Sequence, residues 1–449
     1  MVLARFTWQA GPVALECEHN YTVGVQANRA ISQPARGFPD TLSLERVVID
    51  VVSNSIANHN PGNPDLIAII RDDIAATGAI PFARFMELAL YHPEHGYYVS
   101  PERRPGRGGD FLTAPEMHPL FGLTIARQVL ECMDRLDDAE PFTILEYGSG
   151  IGGLAYDVIV GIVEERPDVR SRLRYRLNEV NQHRTAQALS AMDEVGIGDI
   201  VDIDDGTDPI TGVILANEVA DAMPVHRLRW TGSTFEEAWV TWDDASGFTD
   251  RFGTLSPDVE ALDPAAYLRS AGVDLAALPA GSMLEVAPAM DAWVRELAAR
   301  LRRGYALIVD YGYPATQLYS EHRLEGTLRI YSEHTVTDKP YDGVGERDMT
   351  AHVDFTRLMT VATESGLEVA GLATQADFLA NAGLGELLVR LQQQPDMQID
   401  EYYRAQASVF RLIDPGGMGR FRVLGLARNA PVDPPLRGFS GPELPPSLQ

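Results

Sequence analysis

Two acidic residues flank a glycine-rich turn in the middle of the chain. The stretch from Phe142 to Gly153 reads FTILEYGSGIGG, with Glu146 two residues before its first glycine, and Glu179 ends the next strand-like run, Tyr175 to Val180. Alternate glycines let the backbone turn sharply and approach a ligand, because a Cβ would block both. A carboxylate at Glu146 can accept from an ammonium group, and one at Glu179 can accept from both hydroxyls of a ribose. These residue types predict a site for a nucleotide-like ligand.

Two cofactors are compatible with this corner. Gly148, Gly150 and Gly153 satisfy the pattern G-x-G-x-x-G, which is typical of dinucleotide-binding turns. S-adenosylmethionine is favoured, because Glu146 would repel a pyrophosphate but attract the ammonium group of the methyl donor. Glu179 suits either ligand, so a dinucleotide remains the alternative.

A second set of polar residues follows the apolar run Gly212 to Val219, GVILANEV, which reads as a buried strand. Asn217, Glu218 and Asp221 lie at its carboxyl end, where the ligand crevice of an open α/β sheet is found. In one interpretation Glu218 and Asp221 are catalytic carboxylates. In the other, Glu218 caps or orients the adenine side of the cofactor and Asp221 only caps the next helix.

Alternating strands and helices must position these residues. Strands are expected at 143–147, 175–180, 200–203, 212–219, 305–310, 367–372 and 421–426, and a hairpin at 228–242. The helix after the glycine turn carries Leu154, Val158 and Ile162 on one face. This alternation predicts a doubly wound α/β sheet with ligand loops at the strand ends.

Composition argues against several classes of protein. No apolar run in the 449 residues approaches the roughly 20 that a membrane helix needs, and the N-terminus lacks the pattern of a signal peptide. We therefore expect a cytoplasmic protein without a membrane partner. The formal net charge of −27 argues against a nucleic-acid partner; it suits a basic protein substrate or serves only solubility. Lys339 is the only lysine, which excludes a Walker A site.

No metal site is expected. Cys17 and Cys132 form no ligand cluster, and Cys132 falls on the apolar side of a helical run. His92 and His95 have a suitable spacing, but no third ligand type lies near them.

Several stretches together resemble one family, the MidA family of class I S-adenosylmethionine-dependent methyltransferases. They occur in collinear order between about residues 66 and 426: GAIPFARFMELALYHPEHGYY, GGDFLTAPEMHPLFG, LEYGSGIGGLAYD, ANEVADAMPVHRL, DYGY, GTLRIYSEH, GERDMTAHVDF and TQADFLANAGL. The resemblance implies a class I methyltransferase sheet of seven strands with an added, mostly helical substrate subdomain. It also implies arginine-directed protein methylation, and the mitochondrial members are assembly factors for respiratory complex I.

The family's motifs can be carried over residue by residue. The cofactor-binding positions fall on Glu146, Gly148, Gly150, Gly152, Glu179 and Asn217, and the candidate catalytic positions on Glu218, Asp221 and Asp110. Pro224 closes the fourth-strand signature, and Asp110 belongs to the GDF-x-T segment. Ser149 and Ile151 stand where many members have proline and arginine, and Ala220 replaces a larger residue.

Other motif residues have two interpretations each. His352, in TAHVDF, is a candidate proton acceptor or part of the substrate channel, whereas Asp354 is favoured as the N-cap of the helix that it begins. Tyr97 and Tyr98 line the substrate entrance or only pack.

The sequence thus predicts a methyltransferase that methylates arginine on a protein. The alternatives are a small-molecule O- or N-methyltransferase and a non-catalytic assembly factor that retains the cofactor fold. Residues 63–430 are expected to form the methyltransferase domain with N-terminal and inserted substrate-binding segments. Residues 1–62 are interpreted as an N-terminal extension of uncertain order, and residues 431–449 are predicted to be a disordered Pro-rich tail.

Overall fold

The computed structural model describes residues 60–100, 113–137, 141–332 and 335–441. The helices are α1 Pro64–Thr77, α2 Phe82–Tyr91, α3 Ala114–Met117, α4 Leu120–Asp134, α5 Gly153–Glu165, α6 Gln182–Glu194, α7 Pro257–Leu262, α8 Pro264–Ser270, α9 Pro288–Arg300, α10 Ala315–Leu318, α11 Phe355–Glu364, α12 Gln375–Ala382, α13 Leu384–Gln392 and α14 Ile399–Ile413. The strands are β1 Ile80–Pro81, β2 Phe142–Tyr147, β3 Leu173–Asn178, β4 Val201–Ile203, β5 Ile210–Asn217, β6 His226–Trp230, β7 Phe235–Asp243, β8 Gly247–Gly253, β9 Met283–Val286, β10 Leu301–Asp310, β11 Gly312–Tyr313, β12 Arg329–Ser332, β13 Thr335–Thr337, β14 Asp348–Thr350, β15 Val353–Asp354, β16 Glu368–Thr374 and β17 Arg422–Arg428.

A seven-stranded sheet runs in the order β16-β17-β10-β5-β2-β3-β4. The five strands from β10 to β4 are parallel to their neighbours, whereas β17 is antiparallel to both β10 and β16. Every residue of β2 is buried, as expected for a strand covered on both faces. The predicted class I methyltransferase sheet of α/β type is confirmed.

The strand register brings the polar strand ends to one edge of this sheet. Tyr147 at the end of β2 pairs with Ala216 on β5 and with Asn178 on β3. Asn217 at the end of β5 pairs in turn with Val309 on β10. The glycine turn and the loops after β3, β5 and β10 therefore lie side by side.

Helices pack on this sheet through two apolar clusters. Helices α4 and α5 contribute to the first cluster, and α9 and α11 contribute to the second; their buried members include Ile125, Val129, Val158 and Ile162 in the first and Trp293, Leu297 and Leu358 in the second. Cys132 belongs to the first cluster, and its burial raises the pKa of the thiol. A structural role for this thiol is consistent with its position.

The added part of the chain is not mostly helical, so this detail of the predicted fold is wrong. It contains an antiparallel sheet in the order β1-β7-β6-β9, with β8 paired to β7, and helices α1 and α2 pack against it. The hairpin predicted at 228–242 corresponds to β6 and β7, which meet at the pair Trp230 and Phe235. The sequence of β8, GFTDRFG, did not predict a strand, because charged residues interrupt any apolar pattern.

Part of the Pro-rich C-terminal segment packs on the core, contrary to the predicted disordered tail. Leu436 is fully buried in the first cluster, and the Phe439 ring packs against Phe378 at 5.2 Å between centroids. The backbone N–H of Gly438 donates to Gln128 at 2.7 Å. Proline-rich composition suggested a mobile end, but three local contacts hold residues 436–439 on the core.

Within the described ranges, each helix is too short or too polar to span a bilayer.

Candidate active site

The glycine turn after β2 is tied to the end of β3. Gly148 and Gly150 have φ values of 68° and 54°, in the left-handed region that favours glycine. A Cβ at Gly148 would lie 2.9 Å from Cγ2 of Val219, so a side chain there would press on the loop after β5. The amide of Gly150 donates to Glu179 at 2.8 Å. The hydrogen bond to Glu179 therefore fixes the glycine turn at the edge of the sheet.

Glu179 holds two backbone segments at once. One carboxylate oxygen accepts from Gly150, and the other accepts from the amide of Asn181 at 2.9 Å. Asn181 is the N-cap of α6, and its side-chain amide also donates to the carbonyl of Tyr98 at 2.9 Å. Each oxygen of Glu179 retains a second lone pair for a ligand hydroxyl.

Glu146 is buried in the sheet directly before the turn. Its carboxyl accepts from the hydroxyl of Tyr175 at 2.6 Å. Burial raises the pKa of Glu146 to about 7; the hydrogen bond from Tyr175 opposes this rise, and the negative charge of Glu179 adds to it. A cation bound beside Glu146 would favour its ionised form.

Glu218 follows β5 in a strained conformation. Its φ of 52° is rare for a residue with a side chain. Its Oε1 accepts from the amide of Ala114 at 3.1 Å and from the side chain of Asn217 at 3.1 Å. Burial, with a contribution from Asp221, raises the pKa of Glu218 to about 8. A strained backbone and a perturbed pKa are both typical of functional positions, so Glu218 is a candidate site residue.

Asp310, at the end of β10, fixes the loop that carries Asp221. Its Oδ2 accepts from the amides of Val219, Ala220 and Asp221 at 3.2, 2.9 and 3.2 Å, and its Oδ1 accepts from the amide of Tyr311 at 2.8 Å. Burial and the charge of Asp221 raise the pKa of Asp310, whereas the four N–H donors favour its ionised form. The carboxyl group of Asp310 thus joins the ends of β5 and β10.

Asp221 itself faces a cavity. Burial raises the pKa of Asp221 to about 6, although a hydrogen bond from Tyr311 opposes the rise. Its Oδ1 is buried without a hydrogen-bond partner among the residues that the structure describes. Because no helix begins at Asp221, the structure gives no support to the interpretation of this residue as a helix cap.

A cavity of about 230 Å³ opens beside Glu218 and Asp221. Its walls combine acidic, aromatic and basic side chains: Glu218, Asp221, Asp348, Tyr311, Tyr313, Tyr331, Phe421, His352 and Arg420 are among them. Asp348 accepts from the hydroxyl of Tyr98 at 2.7 Å, which links the N-terminal segment to the cavity wall. We call this space the acceptor cavity.

The remaining sequence-predicted residues have varied outcomes. Asp110 lies outside the described residues, as do Gly109 and Phe111 of the same segment. Asp354 is the N-cap of α11, as favoured, and accepts from the amide of Arg357 at 3.0 Å. Of the two tyrosines, Tyr97 is fully buried in the core and Tyr98 reaches the acceptor cavity through Asp348.

Sequence reasoning assigned no role to Asp310, Tyr311 or Asp348. Asp310 and Tyr311 follow the fifth predicted strand, so their place at a strand end was the available signal. Asp348 begins β14. It lies in the stretch GERDMTAHVDF, where the resemblance to the family was the only signal of function.

Comparison with known proteins identifies the family. The model of a family described as S-adenosyl-L-methionine-dependent methyltransferases matches residues 124–373. A Burkholderia thailandensis protein, described as a methyltransferase and solved with S-adenosyl-homocysteine, is 31% identical; the match covers 85% of this chain and 98% of that one, with a TM-score of 0.74. The chain belongs to this methyltransferase family. The resemblance to MidA proteins is thereby confirmed, and the cofactor is S-adenosylmethionine.

Curated relatives extend the family to mitochondria. The mitochondrial protein arginine methyltransferase NDUFAF7 of Danio rerio is 26% identical over 87% of this chain and 94% of its own. The Homo sapiens protein of the same name is 27% identical over 82% of this chain and 84% of its own. These relatives contradict the predicted cytoplasmic location, which rested on signals that the sequence lacks.

The residues at the sheet edge fit the methyl donor of the family. Oγ of Ser149 and Oδ1 of Asn217 are buried there without a hydrogen-bond partner among the described residues, so polar groups remain for a bound ligand. Gly148 precedes Ser149, and a Cβ at Gly148 would lie 2.9 Å from Cγ2 of Val219 in the loop after β5. Within the described part of the chain, no group of three His, Cys, Asp or Glu side chains is arranged to hold a metal ion.

Proposed function

We propose that this methyltransferase transfers the methyl group to a guanidinium nitrogen of arginine in a protein. One observation carries the proposal: Glu218, Asp221 and Asp348 line a cavity with aromatic walls at the sheet edge that holds the glycine turn. A guanidinium group is planar and cationic, so it suits both carboxylates and aromatic faces. The names of the relatives, protein arginine methyltransferases, support the same acceptor.

The charge balance of the cavity favours a cationic acceptor. Glu218 and Asp221 form no ion pair with any residue in the described ranges, and burial raises the pKa of both. Buried acids without a basic partner are costly when ionised. A bound guanidinium would supply the missing positive charge and donate parallel hydrogen bonds to the carboxylate oxygens.

In this proposal Glu218 and Asp221 orient the acceptor, and Glu218 also accepts the proton that the acceptor loses. S-adenosylmethionine supplies an electrophilic methyl group on a sulfonium. Pairing with carboxylates fixes the guanidinium plane, and such alignment is worth up to roughly 7 to 11 kcal/mol of a reaction barrier. Glu218 has a pKa of about 8, so its ionised form, which increases as pH rises toward 8, can take the proton that the methylated nitrogen releases. Asp310 keeps Asp221 in place, and the phenol of Tyr311 contacts the same acid.

The experiment is methyl transfer from an isotopically labelled donor into a protein extract. Acid hydrolysis should yield labelled methylarginine. Glu218→Gln should lower kcat/KM about 100-fold or more, because it removes a charged group that contacts the acceptor. Glu368→Gln, at an exposed position on β16, is the matched control.

Other outcomes would favour the alternatives. Label found only in small molecules would assign the chain to small-molecule methylation. A Glu218→Gln protein that retained the full biological effect of the wild type would favour a non-catalytic assembly role.

A further inference from the structure

The wall of the acceptor cavity away from the glycine turn is basic. Arg420 lines the cavity itself. Arg329 on β12 pairs in register with Thr350 on β14, and Thr350 is another lining residue. The guanidinium of Arg323 lies 3.9 Å from the centroid of the Tyr313 ring, a further part of the wall. We call Arg323, Arg329 and Arg420 the basic rim.

The basic rim has no carboxylate partner in the part of the chain that the structure describes. Among the described residues, Arg323 and Arg329 donate to main-chain carbonyls, those of Gln317 at 2.6 Å and Leu328 at 2.7 Å. This is notable in a chain with 64 acidic and 37 basic residues. A buried arginine elsewhere, Arg300, is paired and binds Asp204 at 2.6 and 2.8 Å. Arg329 and Arg420, unlike Arg300, are exposed, and the three rim arginines leave positive charge that is not paired with any described carboxylate.

Neighbouring groups respond to this charge. His352 lines the cavity, and its ring contacts those of Tyr311 and Tyr313, each at 5.5 Å between centroids. Burial lowers the pKa of His352 to about 4, and the charges of the three rim arginines contribute. His352 is therefore neutral at physiological pH and does not supply further charge to the rim.

The acceptor cavity thus has two poles. Its acidic side carries Glu218 and Asp221 at the end of β5 and Asp348 at the start of β14, and its basic side lies near the other end of β14 and the turn before β17. The basic side borders β10 and β17, whereas the glycine turn and Glu179 border β2 and β3, so the rim lies away from the cofactor corner. A lone arginine side chain would satisfy only the acidic pole.

We infer that the basic rim binds a carboxylate of the acceptor, placed beside the arginine that is methylated. This inference rests on the proposed function and narrows its substrate class to arginine with a neighbouring carboxylate. The carboxylate can come from an acidic side chain next to the target arginine in a protein. It can also come from the main-chain carboxylate of a terminal or free arginine. In both cases opposite charges on the acceptor match opposite poles of the cavity, which gives orientation as well as affinity.

The test compares four acceptors: a peptide with arginine between two glutamates, the same peptide with glutamines, a peptide ending in arginine, and free arginine. Binding to protein loaded with S-adenosyl-homocysteine is measured by calorimetry, and kcat/KM is measured with the methyl donor. The glutamate peptide should bind about tenfold more tightly than the glutamine peptide, as expected for charge-assisted hydrogen bonds. If the peptide ending in arginine and free arginine bound more tightly than the glutamate peptide, the result would support carboxylate binding by the basic rim. It would also identify the main-chain carboxylate as the group that the rim binds.

Variants of the rim separate this inference from the proposed function. Arg420→Gln and Arg329→Gln, both at exposed positions, should reduce the ratio of affinities for the glutamate and glutamine peptides from about tenfold to about one. Arg411→Gln, exposed on α14, is the control and should retain the preference. Equal binding of all four acceptors to the wild type, or an undiminished preference in both rim variants, would overturn the inference alone. Failure of every arginine acceptor to bind or accept label would overturn the proposed function and this inference with it.

Discussion

At the scale of single residues, Glu218 carries two energetic costs. It has a left-handed backbone conformation, with a φ of 52°, and a buried carboxyl with a pKa of about 8. Neither cost is recovered through an ion pair with a described residue. Positions of this kind persist when the surrounding structure holds them and function requires them. Glu218 is therefore the residue at which activity and stability should oppose each other most clearly.

The pH dependence of activity follows from this carboxyl. Because a guanidinium pairs with the ionised form, kcat/KM for an arginine acceptor should rise as pH increases toward about 8, and level off above it. Asp221 has a pKa of about 6, so its ionisation should cause an additional increase in kcat/KM around pH 6. Steady-state rates between pH 5.5 and 9.5 check this. A flat profile over that range would mean that these acids do not contact the acceptor.

Glu218→Gln should increase stability at high pH. The folded-state pKa is raised from 4.5 to about 8, so the contribution of Glu218 to stability is complete below the unfolded pKa and is lost as pH rises through 8. We expect the variant to gain about 1 to 3 kcal/mol in free energy of unfolding at pH 9 and little at pH 5. Urea unfolding at both pH values, with Glu368→Gln as the control, measures the difference. A gain of equal size at both pH values would rule out ionisation as its cause.

Gly148→Ala should weaken cofactor binding. Alanine is unfavourable at a φ of 68°, and its Cβ would meet Cγ2 of Val219 at 2.9 Å. We expect affinity for S-adenosyl-homocysteine to fall roughly tenfold or more. Gly281→Ala is the matched control, because Gly281 also has a positive φ, 98°, but a Cβ added there would have no atom within 4 Å among the described residues. Equal affinity of the two variants by calorimetry would show that the turn does not contact the ligand.

At the scale of elements, the strand ends are joined by side chains that accept several backbone N–H groups. Glu179 connects the turn after β2 to the start of α6, and Asp310 connects β10 to the loop after β5. These two carboxyl groups replace backbone pairing where the strands have ended. The loops that carry the chemistry therefore have fixed positions although they lie outside regular structure.

Asp310→Asn should loosen the loop after β5. Asparagine offers one oxygen where the acid offers two, so some of the four amides that Asp310 now binds would lose an acceptor. A buried donor without an acceptor costs about 1 to 3 kcal/mol, and we expect the free energy of unfolding to fall by about 2 to 4 kcal/mol. Activity should fall as well, because Asp221 would lose its position. Asp202→Asn, at an exposed position on β4, should change neither quantity in urea unfolding and rate measurements.

At the scale of the whole molecule, the sequence predicted the central sheet well and the added sheet poorly. Strands β2, β5 and the second half of β10 are largely buried apolar runs, as expected for parallel strands covered on both faces, whereas β3 contains two arginines and β4 is mostly exposed. In the added sheet, the predicted hairpin at 228–242 corresponds to β6 and β7, but β8 is partly exposed and interrupted by charges, so no apolar run identifies it. The strand-end position predicted Glu218 and Asp221. It could not predict that Asp348 and Tyr98, 250 positions apart, would meet in the same cavity, because only the tertiary fold brings them together.

The C-terminal segment provides the last prediction at this scale. Leu436 lies far along the chain from the helices that it contacts, yet it is fully buried in the cluster that covers one face of the central sheet. Leu436→Ala should lower the free energy of unfolding by about 2 to 5 kcal/mol, as expected for a cavity in a packed core. Leu324→Ala, at a position that is 37% exposed, should cost far less. If urea unfolding gave equal values for both variants, residues 431–441 would not belong to the cooperative unit, and the core of the methyltransferase would end before them.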